Sequence, residues 1–333
     1  MSRNPNPERA PMLKKILLGL AAFIGLALVA FAVFVATRQH LQFNDTPYPD
    51  VAASADTTVI ARGRYVVRDL ANCANCHGDP SQKAAIAASE DVPLSGGGKF
   101  EVPPGVFYTR NITPDSLSGL GAVSDRAIAR ALRNGVGHDG RALLPFMEFQ
   151  NFSDEDLVAV VSYLRSQKPV RNVVPMHHYN LLGKIVRATM LSQPVGPHGT
   201  PPVASPRGAT VENGRYLVES VALCGSCHTQ RNMMTGAFTG PHLGGSTGFE
   251  KESNGHSWSP PNITSDPTTG RAGMMNEDGF VARFRAGRIY QGSPMPWEGF
   301  RRLSDDDLRA IYRYLKTVPP AHRDVGPPEV VAK

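Results

Sequence analysis

The chain has 333 residues, a formal net charge of +6 and four cysteines. That length admits two or three domains with ordinary globular composition, which excludes a collagen-like, low-complexity or disulfide-scaffold protein. The lysines and arginines are interleaved with acids instead of forming a stripe, so no nucleic-acid partner is expected, and the residual charge suits an acidic protein or a membrane surface.

The first element is an uncharged apolar run from Ile16 to Ala36, the length a bilayer-spanning helix needs. Arg3, Arg9, Lys14 and Lys15 precede it, while only Arg38 follows closely. The positive-inside rule therefore leaves residues 1–15 cytoplasmic, 16–36 in the membrane and the rest outside. Ala30-Phe31-Ala32 offers the alternative of a cleaved signal peptide, and both readings put the bulk of the chain in the same compartment. Residues 37–58 are expected to be a linker.

Next come Cys73-Ala74-Asn75-Cys76-His77 and, 151 positions later, Cys224-Gly225-Ser226-Cys227-His228. Each reads as a covalent haem attachment: two thiols three residues apart reach the two vinyl groups of one haem, and the following imidazole faces the iron. A zinc site needs four ligands, and a thioredoxin-like redox pair does not require the histidine. Two covalently bound haem c groups are therefore expected, with His77 and His228 as axial ligands.

Other landmarks keep the same offset. Gly63-Arg64-Tyr65 recurs as Gly214-Arg215-Tyr216, Asn111-Ile112-Thr113 as Asn262-Ile263-Thr264, and Ser153 to Leu157 as Ser304 to Leu308. The offset implies a duplicated domain, with copies at 59–169 and 211–319. Each copy reads as three helices: one before the cysteines, one from near Ser124 to Asn134-Gly135 or through Phe280 and Phe284 to Gly287, and a last one capped by Ser153 or Ser304. The fold class is all-α. The acids at 154–156 read as first-turn charges that favour the helix dipole. Residues 170–210 read as a Pro- and Gly-rich linker holding a short apolar and basic stretch, Tyr179 to Leu191, and residues 320–333 as a flexible tail.

The sixth iron ligand decides between electron transfer and chemistry on an exchangeable ligand. Met295, in Ser293-Pro294-Met295-Pro296-Trp297, and Met147, in Leu144-Pro145-Phe146-Met147, precede the last helices and lie 67 and 70 positions after their histidines. They are the expected distal ligands. His138, His177 and His178 are rivals with weaker positions, while Met233, Met234, Met274 and Met275 suit packing. Arg110, Asn111, Asn262 and Trp297 are candidates for haem propionates, the Asn residues alternatively for Asn-x-Thr turns.

Arg62 to Val170 and Asn213 to Pro320 resemble the class I cytochrome c fold. More narrowly, Leu94-Ser95-Gly96-Gly97-Gly98, Tyr108 to Asp115 and Met295-Pro296-Trp297 resemble the multihaem cytochrome c subunits of membrane-bound gluconate and alcohol dehydrogenases. That resemblance implies electron transfer from a separate dehydrogenase subunit to ubiquinone or an oxidase, through usually three haems where this chain has two motifs. Asn180-Leu181-Leu182-Gly183-Lys184 is similar to a group of dihaem cytochromes. The expected protein is a dihaem electron carrier anchored in the bacterial inner membrane, its haem domains periplasmic and its partners a dehydrogenase subunit, a quinol-oxidising complex or a terminal oxidase. The alternative is an enzyme of the dihaem peroxidase type.

Overall fold

The computed structural model describes residues 9–232, 236–249 and 256–330. Arg3, Met233 and Met234 lie outside them. Helix α1 (Arg9–Arg38) is exposed along its apolar run except at Val35, and Met12–Arg38 is long and apolar enough to cross a membrane. Beyond it the elements come in two matching series.

In the first series, Asp56 caps α2 (Thr57–Arg64) by accepting the Thr58 amide, and the helix widens into a π-helical segment, Tyr65–Leu70. Widening inserts an extra residue into the turn and redirects the backbone beyond it. Asn72 then takes a left-handed φ of 49°, and α3 (Ala74–His77) begins. The second series repeats this order: α8 (Val211–Tyr216) widens at Leu217–Val221, Leu223 has φ 51°, and α9 (Gly225–His228) comes next. The attachment turns are thus delivered by the same backbone device.

Helix α5 (Asp125–Asn134) is capped by Ser124 and stops at Gly135, whose φ of 61° is a left-handed conformation that glycine adopts without a Cβ clash. Its counterpart α11 (Glu277–Arg285) is capped by Asn276. The last helices, α6 (Asp154–Ser166) and α13 (Asp305–Thr317), carry Ser153 and Ser304 as N-caps that accept from the Asp156 and Asp307 amides. Each last helix crosses the first helix of its own series at a glycine. A Cβ on Gly63 would stand 1.9 Å from the Ala159 carbonyl oxygen, and one on Gly214 1.9 Å from that of Ala310. Only glycine permits that approach, which explains the glycine of both Gly-Arg-Tyr motifs. Around these crossings Val66, Val67, Leu157 and Val161, and likewise Leu217, Val218, Leu308 and Leu315, form one continuous buried core.

The expectation of an all-α chain needs correction. Among the described residues five short strands make two small sheets: β1 (Lys99–Val102), β2 (Gly105–Tyr108) and β3 (His178–Tyr179), and separately β4 (Ser257–Trp258) and β5 (Glu329–Val330). Phe100, Val102, Val106 and Tyr108 favour extended backbone, and Pro103-Pro104 turns β1 back onto β2. The stretch expected as a free linker contributes β3 and α7 (Leu181–Thr189). The end expected as a loose tail is held over 321–330: the Ala321 carbonyl accepts from Asn262 Nδ2 at 2.6 Å, the Arg323 amide donates to Thr269 Oγ1 at 3.1 Å, and β5 pairs with β4.

The series lock together reciprocally. Tyr216 donates to Asp156 Oδ2 at 2.7 Å and accepts the Ser153 amide at 3.0 Å; Tyr65 donates to Asp307 Oδ2 at 2.7 Å and accepts the Ser304 amide at 3.0 Å. Each motif tyrosine therefore caps the last helix of the other series. Burial and the facing carboxylate hold both phenols far above their ordinary pKa, so the hydroxyls remain donors. The acid three residues after each N-cap is completed from its own series, by Arg62 on Asp156 at 2.6 and 2.8 Å and by Asn213 on Asp307 at 2.9 Å. Asp156 is wholly buried in the first turn of α6, so it makes this cross-link in addition to carrying the first-turn charge expected from sequence.

Candidate haem sites

At the end of α3 the His77 Nδ1 lies 2.8 Å from the Arg110 carbonyl oxygen, and at the end of α9 the His228 Nδ1 lies 2.8 Å from that of Pro261. A carbonyl only accepts, so Nδ1 carries the proton and Nε2 keeps its lone pair. Burial lowers the pKa of both imidazoles and favours the neutral form a metal ligand must have. The accepting carbonyls sit just before Asn111 and Asn262, and each Asn is consumed by its own loop. Asn111 Oδ1 accepts the Thr113 amide and hydroxyl at 3.0 and 2.7 Å, and its Nδ2 donates to the Val170 carbonyl at 2.8 Å. Asn262 repeats the pattern on Thr264 and Ala321. These Asn residues are turn and strap residues, which settles the alternative left open by sequence and explains why the motif lies beside the histidine's carbonyl.

Cys73 and Cys224 start the attachment turns, and Cys76 and Cys227 lie one turn on, directly before the histidines. Burial pushes the Cys73 and Cys224 thiols up to about 12. Each turn offers two thiols and one imidazole where a structural zinc site needs four ligands, and the described residues hold no cluster of His, Cys, Asp and Glu suited to a metal ion. What fits this donor set is a group attached through sulfur and ligated by one imidazole. Arg130 supports the fit: its guanidinium is wholly buried, stacks 4.0 Å from the Tyr48 ring centroid and donates through Nη2 to Gly137, while Nε and Nη1 find no hydrogen-bond partner. A buried cation with open donors calls for an anion, and haem carries two carboxylates.

Met147 and Met295 are both half-buried, and Met295 packs against the buried core. The loops that carry them cross between series. Glu148, next to Met147, accepts from Ser226 Oγ at 3.1 Å, between Cys224 and Cys227, and from Arg231 at 3.4 Å. In the other direction α12 (Trp297–Phe300), directly after Met295, lies on the backbone before Cys73. A Cβ on Gly299 would meet Asn72 Oδ1 at 3.0 Å and the Asp69 carbonyl at 3.1 Å, and Arg302 donates to Asp69 Oδ1 at 2.8 and 2.5 Å. A cavity of about 700 Å³ opens between Cys76, Gly97 and Lys99 on one side and Arg288, Pro294 and Pro296 on the other. Sequence reasoning named the methionines as candidates but missed Tyr65, Tyr216, Glu148 and Arg302 as contacts between the series. The repeated Gly-Arg-Tyr motif was the available signal for the tyrosines.

The rival donors lie elsewhere. His138 and His178 are exposed, and His177 Nδ1 accepts the Tyr108 amide at 3.2 Å. Burial, with Arg110 and Arg141 nearby, lowers His177 to about 4. Met274 is exposed, and the Met275 carbonyl accepts from Tyr312 at 2.8 Å. Arg110 donates to the Val174 and Pro175 carbonyls, and the Trp297 ring lies 3.8 Å from the Arg283 guanidinium.

Residues 58–164 match the family model described as cytochrome c oxidase, cbb3-type, subunit III. Over that stretch the chain is similar to a cytochrome c domain, a likeness that supports a bound haem c. Beyond this domain, the chain is similar to the cytochrome c subunit of a quinone alcohol dehydrogenase from Gluconobacter oxydans (strain 621H), 30% identical over 326 residues, 92% of this chain and 62% of that protein. It is also similar to a fructose dehydrogenase cytochrome subunit of Gluconobacter japonicus, 30% identical over 82% of this chain and 55% of the relative. A dihaem cytochrome c-type protein of Cereibacter sphaeroides is 28% identical over 74% of this chain and 82% of its own length. The chain spans about three fifths of the length of the dehydrogenase subunits it matches.

Proposed function

We propose that this chain is a membrane-anchored dihaem cytochrome c made of two tandem class I cytochrome c domains, 59–169 and 211–319, and that it relays electrons in the periplasm from a dehydrogenase subunit toward a quinone pool or terminal oxidase. The observation that carries the reading is the duplicated proximal geometry: the same 2.8 Å hydrogen bond from Nδ1 to a carbonyl behind His77 and behind His228. Haem, when bound, supplies an iron that gains and loses one electron without rearrangement of its surroundings. Cys73 and Cys76 would hold the first group through sulfur, with His77 and Met147 as its iron ligands; Cys224 and Cys227 would hold the second, with His228 and Met295.

The chain's own residues do three things. The carbonyls of Arg110 and Pro261 fix the ring orientation and raise the basicity of Nε2. Met147 and Met295 would each give the iron a sulfur ligand that keeps small molecules from it. The crossing of their loops, Glu148 onto Ser226 and α12 onto Asn72, brings each methionine loop against the Cys-x-x-Cys-His turn of the other series, which would favour rapid transfer between two groups held there. A periplasmic location is supported by the basic residues ahead of α1, and a dehydrogenase partner by the names of the relatives.

Optical spectra of the purified oxidised and reduced protein test the reading, with carbon monoxide added to the reduced form. The expected result is two haems c per chain, both low-spin, with the weak near-red band of methionine-ligated ferric iron and no carbon monoxide shift. A high-spin fraction, or a shift at one haem, refutes the pure carrier and supports peroxidase-type chemistry.

A further inference from the structure

Helix α7 has an apolar face that the described chain leaves largely open, with Leu181, Leu182 and Met190 exposed and Ile185 and Val186 half-buried. Leu182, Ile185, Val186, Thr189 and Met190 recur at helical spacing along one side; Leu182 is 45% and Met190 60% exposed, and Leu181, at the start of the helix, 73%. An exposed stripe of this kind in a helix capped and held at both ends is a docking surface, not a frayed segment. Asn180 caps it by accepting the Gly183 amide at 2.9 Å and donates to the Pro103 carbonyl at 2.8 Å, while Gly183 packs so closely on Pro104 that a Cβ would stand 2.1 Å from its carbonyl oxygen.

The opposite side of α7 packs on the carboxyl end of α1. Ala188 is fully buried there with Val35, and Arg38 Nε donates to the Ala188 carbonyl at 3.4 Å. Arg38 closes the apolar run, so α7 lies at the level where a spanning helix leaves the hydrocarbon. Lys184 is exposed on the side of α7 away from Leu182, and the half-buried Arg187 has its guanidinium 5.0 Å from the Tyr179 ring centroid.

We infer that α7 is an interfacial helix that rests on the outer surface of the bilayer, burying Leu181, Leu182, Ile185 and Met190 at the headgroup boundary, with Arg38 and Arg187 at the level of the lipid phosphates. The inference rests on α1 being a membrane anchor. It deepens that reading, because a single spanning helix leaves its cargo free to swing, whereas a second contact fixes it. The fixed part is the first attachment site: α7 follows β3, β3 pairs with β2 through Val106 and His178, and β2 leads into Arg110, whose carbonyl orients His77. Docking of α7 therefore sets the orientation of the first haem relative to the membrane.

The test uses the full-length holoprotein in nanodiscs of phosphatidylethanolamine and phosphatidylglycerol, with photoreactive p-benzoylphenylalanine placed singly at Leu182, Met190, Phe23 or Val203. Lipid adducts at 182 and 190 comparable with those at 23, and absent at the exposed linker position 203, are expected. Adducts at 23 without any at 182 or 190 overturn the interfacial helix and leave the anchor standing; no adducts at 23 overturn both. In native membranes, adducts from 182 to a partner polypeptide in place of lipid also overturn it. As a second readout, the Leu182→Glu and Ile185→Glu double variant is expected to lose the linear dichroism of the haem bands in oriented films while keeping the solution spectrum. Dichroism equal to wild type overturns the proposal.

Discussion

Replacing Tyr216 with Phe isolates the reciprocal lock between the two series. The ring stays and only the hydroxyl leaves, so the packing of a residue that is 6% exposed is unchanged. Two interactions are lost: the bond donated to the Asp156 carboxylate, and acceptance of the Ser153 amide, itself buried. A hydrogen bond to a charged group contributes about 1.5–3 kcal/mol, and a buried amide left without a partner costs about 1–3 kcal/mol. Asp156 keeps its two-pronged contact with Arg62, so no lone buried charge results and the sum stays near about 3 kcal/mol. The same change at Tyr65 costs less, about 1 kcal/mol, because Ser304 is exposed and water replaces the lost partner. Urea unfolding of the two holoprotein variants, followed by circular dichroism and by the Soret band, measures the difference. Equal losses at the two positions, or a Tyr216→Phe loss below about 1 kcal/mol, refute the argument that burial makes this lock unequal.

Met147→Ala and Met295→Ala should each open one haem, producing a carbon monoxide shift in the reduced protein that wild type lacks; a variant that binds carbon monoxide no better than wild type shows that its methionine is not the ligand. Gly63→Ala and Gly214→Ala place a methyl 1.9 Å from a carbonyl oxygen, so neither variant should accumulate as folded holoprotein, and recovery of wild-type yield and melting temperature would contradict the tight crossing. The His242 pKa is raised, chiefly by its 2.8 Å bond to Glu219. Burial pushes Glu219 up, but bonds from His242 and Tyr314 bring it below its ordinary value. A raised imidazole stabilises fully below its unfolded value of 6.5 and loses this as pH rises through the folded pKa; a lowered carboxylate stabilises above 4.5 and loses this as pH falls. His242→Gln should therefore cost most between those values and little at about pH 8.5; because His242 is half exposed the effect is modest, and a melting-temperature difference independent of pH would refute it.

Features that are local or repeated were legible from the residues alone. The attachment motifs, the serine caps of α6 and α13, the glycine stop after α5 and the apolar run of α1 are each encoded within a few residues, because caps, helical turns and span length depend on near neighbours. The 151-residue offset relates the Cys-x-x-Cys-His motifs and the serine caps, while Met147 and Met295 stand 148 positions apart and correspond only after a three-residue gap ahead of the last helix. The π-helical widening before each first cysteine, the strands on either side of Pro103-Pro104 and the strapping of 321–330 escaped, since they are settled by partners far along the chain that override local propensity. How the copies face each other emerged only from the folded chain: Tyr65 and Tyr216 exchanged onto the opposite helix ends, Glu148 and α12 laid on the opposite attachment turns, and α7 set against the end of α1 with its apolar side largely open. No periodicity encodes these contacts, because each is fixed by which polar group is left without water or a partner once two surfaces close.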